Sequence, residues 1–430
     1  MATAEHTAPS RFRGTRPGEG SHAPALSPAR LDETDRPPNF RKPALGRADA
    51  LLLVSWTVVV AVISMPASVP VSWRYFDEAA AFLFDGRRLH GMHVGLRLFE
   101  LRPGDQFGPL SIVAAQAIRM LGGSHAVLLA HLVVLIVGLG VVWLVVDAAE
   151  RSAGHGVVVS RPGLLIAGAA FLFEWNHLAL DSLHIDDAIA LACTAIAVNL
   201  IIRRSNWWWA AIAIGAATAA KPWAIMFLPL LCALPPGRRF RAWVLAAVVG
   251  IGVWAPFVIA DPKTLHAARY TIVNARSSVL RLVGVKNART PKWDRLTQLF
   301  TALGIGGLAF VRRRWEGIVL ATVAVRLLLD PGVNAYYTSG LVLGALIWDL
   351  LRPRWSLPIA TLLAALLLDL PSIVSMTATE SAVLRLVACV GAIATVLAPG
   401  RHEVVQPQDT APAQQSAPSI EPMRVGTPVA

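Results

Sequence analysis

Two adjacent carboxylates, Asp77 and Glu78, stand in the stretch YFDEAAAFLFDGRRLHGMHVGLRLF (residues 75–99), directly after the first long apolar run. Ionisable groups at a hydrocarbon edge add nothing to stability there and point instead to a reacting or binding site. One chemistry suits such a pair: a carboxylate acts as general base, taking the proton of a hydroxyl as it attacks carbon. Further polar groups recur between later apolar runs. They are His184, Asp186 and Asp187 in HLALDSLHIDD (177–187), Lys221 in AAKPW (219–223), and Tyr336 and Tyr337 in DPGVNAYY (330–337). Residues 261–294 add Lys263, Arg269, Arg276, Arg281, Lys286, Arg289 and Lys292. Cations of this kind stabilise the charge on a departing phosphate, and a leaving group carried by a lipid explains why the protein lies in a membrane. Lys221 and Arg276 are the expected phosphate contacts, and His184, Asp186, Asp187, Tyr336 and Tyr337 the expected substrate contacts.

Each group also has an ordinary structural role open to it. Asp77 can cap a helix starting at Glu78, and HIDD can cap the following apolar run. Lys221 can snorkel to the surface, the tyrosine pair can belong to an interfacial belt, and the basic stretch can bind anionic headgroups.

The elements that must position these groups are apolar. The chain has 430 residues, 55% hydrophobic and only 15% charged, with a mean hydropathy of +0.55, more apolar surface than a soluble core of this size buries. Apolar runs of roughly 17 to 23 residues recur without the alternation of barrel strands, so an all-α polytopic membrane protein of about twelve transmembrane helices is expected. The net charge of +12 does not indicate nucleic acid, because the arginines cluster beside apolar runs and so set topology. Cys193, Cys232 and Cys389 lie inside apolar runs without metal-like spacing and read as small hydrophobes. No cofactor motif is found, and no metal ligands are assigned.

Residues 1–47 read as a disordered basic cytoplasmic tail without signal-peptide character, 48–398 as the membrane domain, and 399–430 as a second cytoplasmic tail. A first span over 48–70 leads outward, making the loop with Asp77 and Glu78 external. The short segment 107–123 carries Arg119 and is placed on the external surface, because that choice puts Arg203, Arg204, Arg238, Arg239 and Arg241 inside. Between those arginine pairs, Pro222 breaks the run into a short hairpin with Lys221 at its tip. A multi-pass plasma-membrane protein with both termini cytoplasmic follows, its polar groups gathered on the external face.

The acidic pair after the first span, the Gly-Pro-Leu of 108–110, the second span, and the hairpin centred on AAKPWAIMFLPLL (219–231) together resemble the C-type glycosyltransferase superfamily. The hairpin is most similar to bacterial polyprenyl-phosphate-mannose-dependent mannosyltransferases, and the resemblance covers about 50–350. It implies a polyprenyl-phosphate sugar donor, inversion at the anomeric carbon, and a base at Asp77 first, with Glu78 beside it. The implied acceptor is a cell-envelope glycolipid or polysaccharide, left undefined because no large external C-terminal domain is evident. A transporter or flippase of a lipid-linked saccharide is the alternative, with the acidic groups as proton-coupling sites. Transporters carry internal repeats and midplane charges; here no repeat is evident and the charges collect at one face, which favours the enzyme. A relative without activity, serving as a scaffold, is a third possibility.

Overall fold

A computed structural model of the chain describes residues 45–66, 68–152, 159–353 and 355–399. The expected tails at 1–47 and 399–430 fall almost wholly outside the described residues.

Helix α1 (Arg47–Ser64) starts where the Asp49 carboxylate accepts the Gly46 N–H at 2.8 Å and meets Arg161 at 2.9 Å. It ends two residues before Pro66, whose ring disfavours helix in the preceding residue. Leu51, Val62 and Ile63 stand exposed along it, as apolar side chains facing lipid do. Helix α2 (Val71–Phe84) follows Pro70, so the first span is shorter than the expected 48–70. Asp77 and Glu78 lie inside α2, which rules out Asp77 as a helix cap.

A two-residue hairpin, β1 (Arg88–Leu89) with β2 (Met92–His93), turns through His90 and Gly91, both at positive φ. Then come α3 (Leu98–Leu101), α4 (Pro109–Gly122) and α5 (Ala126–Ser152). The apolar stretch Pro109–Ser152 is 44 residues long. At 1.5 Å per residue that is about 66 Å, roughly twice a hydrocarbon core, so α4 and α5 are not one straight crossing. The segment expected to lie on the surface is a packed helix: α4 buries Ile112 and Ala115 and sits against α2, α7 and α8.

Helix α6 (Arg161–Asn176) is capped by the Ser160 hydroxyl and runs into a π-helical turn, His177–Asp181. Then come α7 (Ile185–Ile202), α8 (Trp207–Ala220), a 3-10 run Pro222–Ala233, α9 (Pro236–Gly252) and α10 (Ala255–Ala260). The stretch 261–294 is a folded lobe with a 3-10 turn, Pro262–Arg269, and α11 (Val279–Leu282). Within it Asn274 Nδ2 donates to the Val285 and Asn287 carbonyls, and its Oδ1 accepts from the Ser278 hydroxyl at 2.7 Å. The chain closes with α12 (Asp294–Val311), α13 (Ile318–Leu329), α14 (Thr338–Leu351), α15 (Ile359–Ile373) and α16 (Ala378–Leu397). Helices α7, α13 and α14 are the most deeply buried, α7 packing on α5 and α8 and α14 on α13. Gly344 lets α14 approach α13 closely, because a Cβ there would stand 2.5 Å from the Leu320 Cα.

Among the described residues, five stretches are long and apolar enough to cross a membrane: Arg47–Ser64, Pro109–Ser152, Arg161–Asp181, Ile185–Ile202 and Ala378–Leu397. This fits a helical membrane protein and corrects the expected count of about twelve. For three of the expected spans the reason is length. Helices α13, α14 and α15 have 12, 14 and 15 residues, about 18–23 Å at 1.5 Å per residue against a core of about 30 Å.

Candidate functional site

Lys221 lies where α8 stops. Pro222 cannot continue the helix, and Lys221 itself is extended (φ −142°, ψ 113°). The broken end leaves carbonyls without intrahelical donors, and the 107–111 segment supplies them. Gly108 N–H and the Ser111 hydroxyl both donate to the Ala220 carbonyl, at 2.7 and 2.9 Å. The approach requires glycine, since a Cβ at 108 would fall 1.9 Å from the Ala219 oxygen. The Gly-Pro-Leu motif therefore fixes the backbone beside Lys221.

Around Lys221 the fold brings together groups far apart in the chain. Its ammonium is ion-paired to Asp186 and lies 3.2 Å from Asp187. His184 Nδ1 lies 3.2 Å from Asp186 and its Nε2 2.9 Å from the Ser72 hydroxyl. The Trp223 indole donates to Asp187 at 2.9 Å. Tyr336 stacks on His184 with ring centroids 3.7 Å apart and meets Tyr337 edge-on. Arg326 lies over the Trp223 and Tyr337 rings and 3.7 Å from Asp330. Six residues singled out in the sequence (His184, Asp186, Asp187, Lys221, Tyr336, Tyr337) thus share one buried cluster. Their roles read differently in place. The anion that a poorly solvated Lys221 needs comes from the chain itself, so the expectation that Lys221 meets a donor phosphate loses its electrostatic ground. Nor does Asp186 cap α7 with its side chain, since it faces Lys221.

The α2 carboxylates form a separate group. Asp77 Oδ1 meets Arg119 Nε at 2.8 Å, and Arg119 also binds Asp85 at 2.7 Å. Glu78 is ion-paired to Arg102, which reaches Asp105 at 3.1 Å. Each arginine is shared between two carboxylates, leaving the group net negative. Asp77 remains 43% exposed, and its Oδ2 has no other partner among the described residues. No ion pair or hydrogen bond joins Asp77 or Glu78 to the Lys221 cluster among the described residues.

Asp105 is buried in the loop before α4. That burial pushes its carboxyl up to about 7, against the pull of Arg102 and with the Glu78 charge adding to the rise. A folded-state value above the unfolded 3.8 means that its contribution to stability is complete below about pH 4 and disappears as pH rises through 7. Asp105→Asn, which cannot ionise, is therefore expected to shrink the difference in melting temperature between pH 5 and pH 8. An unchanged difference in thermal scans would show that Asp105 does not carry it.

Next to this group lies an open cleft of about 440 Å³ lined by Glu100, Lys263, His266, Arg269, Tyr270 and Arg289, with Phe99 and Pro103 in its wall. An apolar groove of about 500 Å³ runs between α2, α4 and α10, past Phe84, Leu96, Leu110 and Phe257. Phe99 in the wall of the cleft packs edge-on against Phe257 in the wall of the groove, centroids 5.0 Å apart. Arg276, the expected phosphate contact of the basic stretch, is exposed, makes no ion pair among the described residues and does not line the cleft. Arg281 is spent internally on the Lys286 carbonyl.

Sequence reasoning missed Arg326, Trp223, Arg102 and Arg119. A lone arginine inside VAVRLLL was a usable signal, because an ionisable side chain in an apolar run needs a partner. Arg119 carried the same signal within 107–123 but served only to place that segment, and the partners of both Arg102 and Arg119 on α2, Glu78 and Asp77, are not marked locally. The chain matches no family model, no curated protein and no solved structure in comparisons with each.

Proposed function

We propose that the chain is an integral membrane glycosyltransferase that moves a sugar, mannose or another hexose or pentose, from a polyprenyl-phosphate donor to a cell-envelope glycolipid or polysaccharide. The reading places the reaction at the external face of the plasma membrane, with cytoplasmic termini and a C-type glycosyltransferase-like helical domain. The observation that carries it is an apolar groove against the end of α2, at Leu83 and Phe84, whose wall residue Phe257 packs on Phe99 in the wall of a cationic cleft. A lipid-linked phosphate has that chemistry: a hydrocarbon tail for the groove and an anion for Lys263, Arg269 and Arg289. In the proposed step the acceptor oxygen bonds to the anomeric carbon as the carbon–oxygen bond to phosphate breaks, with inversion. The acceptor proton passes to Asp77, and the cleft cations hold the released polyprenyl phosphate.

The test is transfer of sugar from synthetic polyprenyl-phosphate sugars by detergent-solubilised protein. Arg269→Gln is expected to raise the donor KM roughly tenfold, the loss of about 1.4 kcal/mol from one charge-assisted contact, with kcat and melting temperature little changed. Unaltered donor kinetics would remove the cleft from the donor site.

A second reading, transport or flipping of a lipid-linked saccharide, draws on the buried network of Asp186, Asp187, Lys221, Arg326 and Asp330, since buried ionisable groups serve proton coupling. Detergent solution separates the two, because a transporter without compartments yields no glycosylated product.

A further inference from the structure

Glu174, near the end of α6, is fully buried, and neither of its carboxylate oxygens has a hydrogen-bond partner among the described residues. A carboxylate withdrawn from water without a partner is costly. Its oxygens face His177 and Asp369, and the ligating atoms of the three lie within 4.8 Å of one another. His177 opens the π-helical turn, an insertion that re-aims side chains and concentrates at functional sites. Asp181 lies 2.7 Å from its Nδ1, and Asp369 3.4 Å from its Nε2. His177 thus stands between the Asp181 and Asp369 carboxylates with Glu174 beside it, an arrangement that requires a cation or a proton among them.

The neighbouring triad of His184, Asp186 and Asp187 is similarly close, but it already holds a cation, Lys221. No lysine or arginine pairs with Glu174 or Asp369 among the described residues. We propose that Glu174, His177 and Asp369 bind one divalent transition-metal ion, Zn²⁺ or Mn²⁺, with Asp181 orienting His177. One imidazole and two carboxylates suit these ions, whereas Mg²⁺ and Ca²⁺ favour oxygen-only sets. Asp181 supplies the outer hydrogen bond that metal-bound histidines require. Bound there, the metal clamps the end of α6 to α15. The proposal does not depend on glycosyl transfer.

The experiment uses the full chain in detergent, stripped with chelator and titrated with Mn²⁺, the free ion being counted by electron paramagnetic resonance and competed with Zn²⁺. One bound ion is expected, with coupling to a single histidine nitrogen that disappears in His177→Gln. Glu174→Gln and Asp369→Asn should abolish binding, Asp181→Ala should weaken it roughly 10- to 100-fold, and His184→Gln should leave it intact. Wild-type protein that takes up neither ion overturns the proposal, as does a folded Asp369→Asn variant that still binds one. Should the carboxylate variants fail to fold, the count and nitrogen coupling of the wild type decide alone.

Discussion

Lys221→Met is expected to destabilise the fold by about 3–5 kcal/mol, the usual cost of removing one partner from a buried ion pair. Asp186 and Asp187 are 1% and 3% exposed, and both face the ammonium. Without it, two carboxylates confront each other away from water, with His184, the Trp223 indole and the Arg326 charge left to offset them. A lysine at a hairpin tip too short to reach water, as the sequence alone presents Lys221, needs an anion, and a donor phosphate would supply it. On that view the variant folds normally and binds donor poorly. Thermal unfolding in detergent separates the two. The buried-pair account requires a large fall in melting temperature, partly restored in Lys221→Met/Asp186→Asn, where one carboxylate is neutralised along with its partner. A single variant as stable as wild type, with impaired donor use, would return Lys221 to the phosphate.

The surroundings of Lys221 show what was legible in the chain. The break at Lys221-Pro222 follows from proline chemistry and is present where expected, between α8 and the 3-10 run Pro222–Ala233. The polar content of the Lys221 cluster was visible too, because His184, Asp186, Asp187, Tyr336 and Tyr337 interrupt apolar runs. What one residue does to another was not. Nothing local marks Asp186 as the partner of a lysine 35 positions away, or Glu174 as the neighbour of Asp369 on a helix near the other end of the chain. The span count failed for a different reason: hydropathy registers apolar character, and α13 and α14 are apolar because they are buried on nearly every side, not because they are long enough to cross.

The α2 carboxylates should behave in the opposite way to Lys221. Asp77→Asn is expected to lower turnover about 10²-fold or more, the usual contribution of a general base, while the melting temperature barely moves. Asparagine keeps the shape of the side chain and still accepts a hydrogen bond from Arg119, so the lost quantity is proton affinity. The stability cost is small because the pair is half exposed, and exposed ion pairs contribute about 0–1 kcal/mol. The family resemblance puts the base at Asp77 first, and its Oδ2, without a partner among the described residues, is open to an acceptor hydroxyl. Glu78 is tied to Arg102, which also holds the buried Asp105. Glu78→Gln should therefore slow transfer less than Asp77→Asn. Single-turnover rates with a saturating polyprenyl-phosphate sugar compare them directly. An active Asp77→Asn with a dead Glu78→Gln exchanges their roles, and two active variants would mean that neither carboxylate on α2 takes the proton.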